Sequence, residues 1–204
     1  MNLPLIMLFG EKLVMRCMRL KSLIPSWLVC FRKEVGKTLN RKRNRAIILL
    51  MYYAMLRVGE VVVLRYCDVV DTDGEIKAET TLSAAQTKGN KGRKVWFSEK
   101  IRVELAAYVA THKSKQLTQP LFYTHCSEGF TANTLTHIVN GIYKGAGISG
   151  ATSNSGRRTG LTNLAKRSVG VRVLMALAGE SNKATTQRYI DLRTAMLKAA
   201  VELV

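Results

Sequence analysis

Hydrophobic and polar residues follow two different periods along this chain, which predict helices over most of its length and one small sheet. The first element begins near Arg41, and its residues 44–56 are apolar nearly all round, a pattern typical of a helix that is buried on every side. Residues 58–66 continue as a second, short helix. In the segment 69–97, turn residues at 88–92 separate the strand-like runs 80–82 and 95–97, and a further turn at 71–74 precedes both runs, which predicts a small antiparallel sheet.

The second half of the chain has the pattern of successive helices. Ser98 is placed to cap the N-terminus of an amphipathic helix that reaches 109, and Thr131 does the same for a helix that reaches about 144. A loop rich in glycine, serine and threonine at 147–156 precedes helical stretches at 157–168, 172–178 and 185–190, and the tail 193–203 also has helical spacing. The predicted fold class is α+β and mainly α-helical, with a small antiparallel β-sheet.

Residues 1–40 have only weak helical periodicity and combine apolar with basic residues. We interpret them as a basic N-terminal arm, since a chain of this length suggests one domain, or one domain with a short extra arm. The body of the protein is then one domain over 41–204. Apolar runs at 3–9 and 23–31 are shorter than the roughly 18 residues of a membrane span and are flanked by charges, which predicts a cytoplasmic protein.

The charge of the chain narrows the class of partner. Among 204 residues, 32 Lys and Arg oppose 14 Asp and Glu for a formal net charge of +18, while 47% hydrophobic residues exclude a disordered basic tail. Residues 1–45 hold eleven bases and two acids, and residues 151–204 hold nine and three, so both ends are basic and the centre is nearly balanced. This charge predicts a polyanionic partner, with nucleic acid ahead of an acidic membrane surface.

The cysteines favour no metal site. Cys17, Cys30, Cys67 and Cys126 lie far apart in the sequence and form no CxxC pair. Because zinc sites in proteins draw their ligands from closely spaced cysteine and histidine pairs, we predict free thiols and no zinc site.

A few positions place cations or a nucleophile where packing does not require them. They are Arg57 at the end of the most apolar segment, Lys88 in a glycine-containing turn, Arg157 and Arg158 at the start of a helix, and Tyr189 beside Arg188 on the last short helix. A guanidinium at a helix start acts together with the helix dipole on an anion. Each residue alone also has a structural interpretation, in which Arg57 pairs with Glu60, Lys88 is solvated and Tyr189 belongs to the core.

The order and spacing of these residues resemble the tyrosine recombinase (phage integrase) family, from about residue 43 to the C-terminus. The stretch RNRAIILLMYYAMLRVGEVVVLRYCDV looks like the first arginine box of that family, QTKGNKGRKVWFS like the hairpin that carries its lysine, and SNSGRRTGLTNLAKRSVGVRVLMALAGESNKATTQRYIDL like its second box through to the nucleophile. The residues in the family's catalytic positions are Arg57, Lys88, Asn154, Arg157, Glu180 and Tyr189, with Glu60 as the acid after the first arginine.

The resemblance implies a reaction that breaks and rejoins DNA. In this family the tyrosine, here Tyr189, attacks the scissile phosphate and forms a 3′-phosphotyrosyl bond, two arginines stabilise the charge on the phosphorane, and the lysine protonates the leaving 5′ oxygen. It also implies double-stranded DNA as the partner, a tetramer on that DNA, and no metal or cofactor. Most members of the family carry a helical core-binding domain of roughly 100 residues before the catalytic domain, and the arm of residues 1–40 is too short to hold a full one. We predict further DNA contacts from basic residues near the site, namely Arg41, Arg43, Lys91, Arg158 and Arg188.

Two catalytic positions depart from the family pattern, because Asn154 and Glu180 stand where the family has histidines. Asn154 still donates a hydrogen bond to phosphate but cannot accept the proton of the tyrosine. An ionised carboxylate about 4 Å from a phosphate oxygen costs on the order of 4 kcal/mol at an effective dielectric near 20, or about a thousandfold in rate. Pairing of Glu180 with Arg57 or Arg157 lessens that cost. Met55 is also unusual, since the family has a small residue there.

Two hypotheses follow from these features. The first is a site-specific recombinase or integrase of reduced activity, and the alternative is a catalytically silent DNA-binding relative. A relaxing topoisomerase of the related type IB kind shares the chemistry but needs a much larger DNA clamp. The assignment predicts that the guanidinium groups of Arg57 and Arg157 converge on one phosphate-sized pocket. It also predicts that the protein is associated with the nucleoid in the cytoplasm.

Overall fold

A computed structural model of the chain describes residues 40–87, 91–111, 116–124 and 129–187. The helices within these ranges are α1 (Arg41–Tyr53), α2 (Val58–Val62), α3 (Tyr66–Val69), α4 (Glu99–Val109), α5 (Ala132–Gly145), α6 (Ser155–Ala165), α7 (Val171–Ala178) and α8 (Lys183–Gln187). The strands are β1 (Glu79–Leu82) and β2 (Arg93–Trp96), with a 3-10 turn at Ala84–Gln86 after β1. The predicted fold class, mainly α-helical with a small antiparallel sheet, is confirmed.

Helix α1 lies at the centre of the main hydrophobic core. Every residue from 46 to 51 is at most 3% exposed, because this helix is apolar on all sides and is covered on all sides. It packs against α4 and α6. The prediction of a buried central helix that begins near Arg41 is therefore confirmed, although the helix ends at Tyr53, three residues before the end of the apolar run 44–56.

The prediction of one short helix over 58–66 is wrong, since the chain forms the two helices α2 and α3 with an extended residue between them. Arg57 and Arg65 have extended backbone angles and each immediately precedes a helix. The backbone N–H of Arg57 donates to Glu60 Oε2 over 2.7 Å, and that of Arg65 donates to Asp68 Oδ2 over 2.8 Å. A carboxylate three residues after the cap is a helix-start signal, so the repeated Arg-x-x-acid spacing starts a new helix at each arginine.

The two strands pair antiparallel, with Glu79 opposite Trp96 and Leu82 opposite Arg93. Leu82 and Val95 are buried in the core. Because side chains alternate between the faces of a strand, Arg93 lies on the same face of β2 as Val95 and points inward. The predicted turn at 88–92 falls partly outside the described residues, which omit 88–90.

Ser98 and Thr131 both hold the predicted positions before the next two helices, but only Thr131 caps its helix through the side chain, because Ser98 makes no capping hydrogen bond. Helix α4 follows Ser98, and α5 follows Thr131, whose Oγ1 accepts a hydrogen bond from the backbone N–H of Thr134 over 3.1 Å. Helix α6 begins at Ser155, two residues before the prediction. The predicted helical tail at 193–203 and residues 1–39 of the predicted arm lie outside the described residues.

Met55, two residues after the end of α1, has a left-handed backbone with φ +55. This conformation costs a residue with a side chain about 1–2 kcal/mol and is favoured by glycine, which is a physical reason to expect a small residue at this position. The Met55 side chain is buried in a second apolar cluster with Leu161, Leu174 and Ala178, between α6 and α7. Burial of this side chain offsets the backbone strain.

Within the described ranges, no helix is long and apolar enough to cross a membrane.

Gly160→Ala is expected to destabilise the protein by about 2 to 3 kcal/mol, or roughly 4–12 °C in Tm. The reason is the close contact of α6 with α1, because a Cβ atom at Gly160 would lie 2.3 Å from the backbone oxygen of Tyr52. Gly141→Ala is the matched control, since Gly141 lies inside α5 and a Cβ atom there would meet nothing within 4 Å. That control should raise stability by up to about 1 kcal/mol. Urea unfolding measures the stability of both variants. An equal change in the free energy of unfolding for Gly160→Ala and Gly141→Ala would contradict the close contact.

Candidate active site

Residues from different segments meet at one end of the second apolar cluster. Arg57 immediately precedes α2, Arg157 lies in the first turn of α6, and Glu180 follows the glycine that ends α7. Arg93 reaches the same place from β2. These charged side chains are far apart in sequence, so only the packing of α1, α6 and α7 brings them together.

Glu180 bridges the two arginines that the sequence assigned to one pocket. Its Oε1 lies 2.7 Å from Arg57 Nη2 and 3.0 Å from Arg157 Nη2. The two guanidinium groups therefore converge on a single oxygen atom, as expected from the sequence. A phosphate oxygen in that position would accept the same two charge-assisted hydrogen bonds.

Arg157 is almost fully buried, with 3% of its side chain exposed. Besides Glu180, it donates to the backbone oxygens of Met55 and Ala178. Burial, followed by the nearby charge of Arg57, lowers the pKa of Arg157 from its usual value, while Glu60 and Glu180 act in the opposite direction. The two carbonyls and the carboxylate thus hold a buried cation in one orientation.

Glu60 holds the other side of the site and is 1% exposed. Its Oε1 accepts from Arg57 Nη1 over 3.1 Å and from Arg93 Nε over 3.2 Å, and its Oε2 accepts from Arg93 Nη2 over 2.8 Å. Burial alone would raise the pKa of Glu60, but the hydrogen bonds and charges of Arg93 and Arg57 together lower it below its usual value. Glu60 is therefore an ionised anchor for both arginines.

Gly179 makes the turn that brings Glu180 to the arginines. Its φ of +57 is left-handed, and it ends α7. A Cβ atom here would lie 2.3 Å from Cδ of Arg93, and the Gly179 oxygen accepts from Arg57 Nη2 over 3.3 Å. Only glycine fits both the backbone angle and the space.

The cluster carries one net positive charge, because three guanidinium groups face two carboxylates. If Glu180 turned away, the remaining groups would carry two. The arrangement is suited to bind one anionic oxygen and to gain stabilisation as negative charge builds on it.

Most of the other candidate residues are exposed or lie outside the described residues. Asn154 is exposed at the start of α6, with no capping hydrogen bond from its side chain. The side chains of Arg41, Lys91 and Arg158 are exposed and available to a large ligand. The remaining candidates, Lys88, Arg188 and Tyr189, lie outside the described residues.

Arg43 does not fit its predicted DNA contact, because only 8% of it is exposed. Its guanidinium donates to Asn44 Oδ1 over 3.0 Å and to the backbone oxygen of Tyr123 over 3.3 Å, and it lies 4.9 Å from the ring centroid of Phe130. A cation held between a carbonyl, an amide and an aromatic face is a packing element of α1. Arg43 is therefore not expected to contact DNA.

Arg93 is the site residue that the sequence analysis missed. The available signal was the alternation of Arg93 with Val95, since a buried Val95 places Arg93 on the inner face of the strand. Among the described residues, no group of three His, Cys, Asp or Glu side chains is arranged to hold a metal ion.

Known proteins resemble the chain in sequence. The profile of the phage integrase family matches residues 32–196. The tyrosine recombinase XerA of Pyrococcus horikoshii is 26% identical over 174 residues, which are 83% of this chain and 58% of the relative. Transposase A from transposon Tn554 of Staphylococcus aureus is 27% identical over 169 residues, 78% of this chain and 46% of the relative. The chain thus spans about half the length of these relatives.

Solved structures share the fold. The crystal structure of XerA recombinase has a TM-score of 0.69 at 22% identity and covers 89% of this chain and 62% of that chain. The Tn1549 transposon integrase in complex with a circular intermediate DNA has a TM-score of 0.70 at 17% identity, with coverages of 89% and 65%.

Proposed function

The chain belongs to the phage integrase family, and on that premise we propose that it is the DNA breaking and rejoining domain of a site-specific recombinase. The observation that carries this proposal is the convergence of Arg57 and Arg157 on one oxygen of Glu180. Two buried or half-buried guanidinium groups aimed at one oxygen atom are what a scissile phosphate requires.

The proposed reaction is a transesterification at phosphorus. The phenol oxygen of Tyr189 forms a bond to the phosphorus, the bond from phosphorus to the 5′ oxygen breaks, and the leaving oxygen takes a proton from Lys88. Arg57 and Arg157 stabilise the pentacoordinate phosphorane. Asn154 donates a hydrogen bond to the phosphate but cannot act as a base, so the phenol proton goes to water. The reverse reaction with another 5′ hydroxyl rejoins the strand, and neither a metal nor a cofactor takes part.

Double-stranded DNA is the proposed partner. Exposed basic side chains at Arg41, Lys91 and Arg158 support it, with Arg188 as a further proposed contact. With a net charge of +18, the protein should lose DNA affinity steeply as salt rises, by counterion release. We also propose a tetramer on DNA and a place in the cytoplasm on the nucleoid.

A second candidate is a DNA-binding relative that does not cleave. It is favoured by one observation, since Glu180 already occupies the hydrogen-bond donors that a phosphate would use. In this case the domain binds DNA through the same surface, and Asn154 and Glu180 leave the chemistry incomplete.

A covalent-adduct assay separates the two candidates. The protein is incubated with a pool of nicked, randomised DNA duplexes, and labelled DNA that stays attached under denaturing conditions is measured. Recombinase function predicts an adduct that Tyr189→Phe abolishes, because phenylalanine has no nucleophilic oxygen. Tyr53→Phe is the matched control, since Tyr53 lies at the end of α1 and packs against the core, and it should keep the adduct.

The remaining outcomes also decide between the candidates. Retention of DNA without an adduct would favour the non-cleaving relative. Absence of both retention and adduct at about 50 mM salt, where phosphate contacts are strong, would contradict both candidates.

A further inference from the structure

We propose that Arg93 is a positioning residue, which holds the Arg57 and Arg157 side chains in place through Glu60 and the end of α7. Two measurements test this inference, and only the first, the rate of adduct formation, rests on the proposed function. It concerns a residue that does not itself meet DNA, because four of its five N–H groups are already used within the protein.

The guanidinium of Arg93 connects three segments of the site. Its Nε and Nη2 bind the two oxygens of Glu60 over 3.2 and 2.8 Å. Its Nη1 donates to the backbone oxygen of Leu177 over 2.8 Å, and Nη2 also reaches the oxygen of Met55 at 3.4 Å. The side chain is 9% exposed. One fork-shaped cation thus ties β2 to α2, to the last turn of α7 and to the turn after α1.

The contact with Glu60 determines where Arg57 points. Arg57 offers Nη1 to Glu60 and Nη2 to Glu180 and the oxygen of Gly179. Arg57 and Arg93 both form ion pairs with the buried Glu60. Without Arg93, Arg57 would be left as the arginine partner of both Glu60 oxygens. A buried carboxylate takes whatever hydrogen bonds it can, so it would draw Nη2 of Arg57 away from the phosphate position.

The contacts with backbone oxygens fix the surroundings of Arg157. Arg93 and Arg157 bind consecutive carbonyls at the end of α7, those of Leu177 and Ala178, and they share the oxygen of Met55. The last carbonyls of a helix have no partner within it, so these two arginines satisfy them. Since Glu180 lies two residues beyond Ala178, the same contacts hold the loop that faces the phosphate position.

Arg93→Lys tests this inference, because lysine keeps the charge that Glu60 needs but lacks the planar fork. We expect the rate of adduct formation at saturating DNA to fall about a hundredfold, as expected for a misplacement on the order of 1 Å, with less than about a threefold change in the dissociation constant for DNA. Arg45→Lys is the matched control, since Arg45 of α1 makes a similar forked pair with Glu104 of α4. It should leave the rate within about twofold.

A double-mutant cycle tests whether Arg93 acts through Arg57. In an Arg57→Lys background, Arg93→Lys should lower the rate by less than about threefold, because the side chain that it positions is already altered. Independent, multiplying losses would overturn the inference, and so would a rate within threefold of the parent for Arg93→Lys alone. If Arg93→Lys fails to give a cooperative melt, the pair Glu60→Gln with Arg93→Gln removes both charges, and the same hundredfold loss is expected of it.

A second measurement does not depend on cleavage. The guanidinium protons of Arg57, followed by NMR, should exchange with solvent at least about tenfold faster in Arg93→Lys and be unchanged in Arg45→Lys. If the parent forms no adduct but the exchange rises as expected, the proposed recombinase function fails and the positioning role stands. Unchanged exchange would overturn the positioning role, whether or not the parent cleaves.

Discussion

Glu180→Gln is expected to speed covalent adduct formation by about a thousandfold, in contrast to the usual loss when a charged active-site residue is replaced. The carboxylate occupies the hydrogen-bond donors of both arginines, with one oxygen 2.7 Å from Arg57 and 3.0 Å from Arg157. A DNA phosphate that enters must displace this oxygen and then lie beside its negative charge. Glutamine keeps the size of the side chain and removes the repulsion.

The pairing that reduces the cost of Glu180 in the free protein has a consequence for DNA. The sequence suggested that contacts with Arg57 or Arg157 would soften the effect of this carboxylate, and the structure shows contacts with both. These contacts stabilise the protein without DNA, but they must be broken or shared when a phosphate binds. The obstruction therefore affects both DNA affinity and the chemical step.

Glu104→Gln is the matched control for this prediction, because Glu104 is also a half-buried partner of an arginine and its loss changes the net charge equally. Adduct rates, DNA affinity and its salt dependence are measured for the parent and both variants. Glu180→Gln should also steepen the slope of log affinity against log salt by up to about 0.9, the value for one phosphate contact. If Glu180→Gln raises the adduct rate no more than Glu104→Gln does, or if it lowers that rate, then the carboxylate of Glu180 does not obstruct the site.

The helices were predictable because their signals are local. Apolar periodicity indicated α1, and single capping residues indicated the starts of α4 and α5. The break between α2 and α3 was missed although its signal is also local, since Arg-x-x-Glu and Arg-x-x-Asp each place a carboxylate over a preceding N–H. A hydrophobic pattern shows which face is buried, but it does not show where a helix restarts.

The site was predictable only as far as the family motifs reach. They brought together Arg57, Arg157 and Glu180, which the structure confirms as neighbours. They gave no indication of Arg93, because its contacts with Glu60 and Leu177 cross 33 and 84 residues of sequence. Basic composition also misassigned Arg43, since a count of charges does not distinguish a solvated cation from one that is buried against Phe130.

Glu60→Gln is expected to lower the free energy of unfolding at pH 7 by about 3 kcal/mol, the range for removing one partner of a buried ion pair. Glu60 is 1% exposed, and each of its oxygens accepts hydrogen bonds from both Arg57 and Arg93. Glutamine has one acceptor oxygen, and its NH₂ group would face guanidinium donors. Glu79→Gln is the matched control, because Glu79 pairs with Lys94 at the surface, and it should cost less than about 1 kcal/mol.

The pH dependence gives a sharper test of the same contact. The pKa of Glu60 in the folded protein lies below the 4.5 of an unperturbed glutamate, so the unfolded chain takes up its proton first as pH falls. The stability that ionised Glu60 contributes is therefore complete above that value and is lost as pH falls through the lower pKa of the folded state. Urea unfolding between pH 7 and pH 3 should show the gap between the parent and Glu60→Gln shrinking on acidification. A gap that stays constant over this range would contradict the ionised anchor on which the geometry of Arg57 depends.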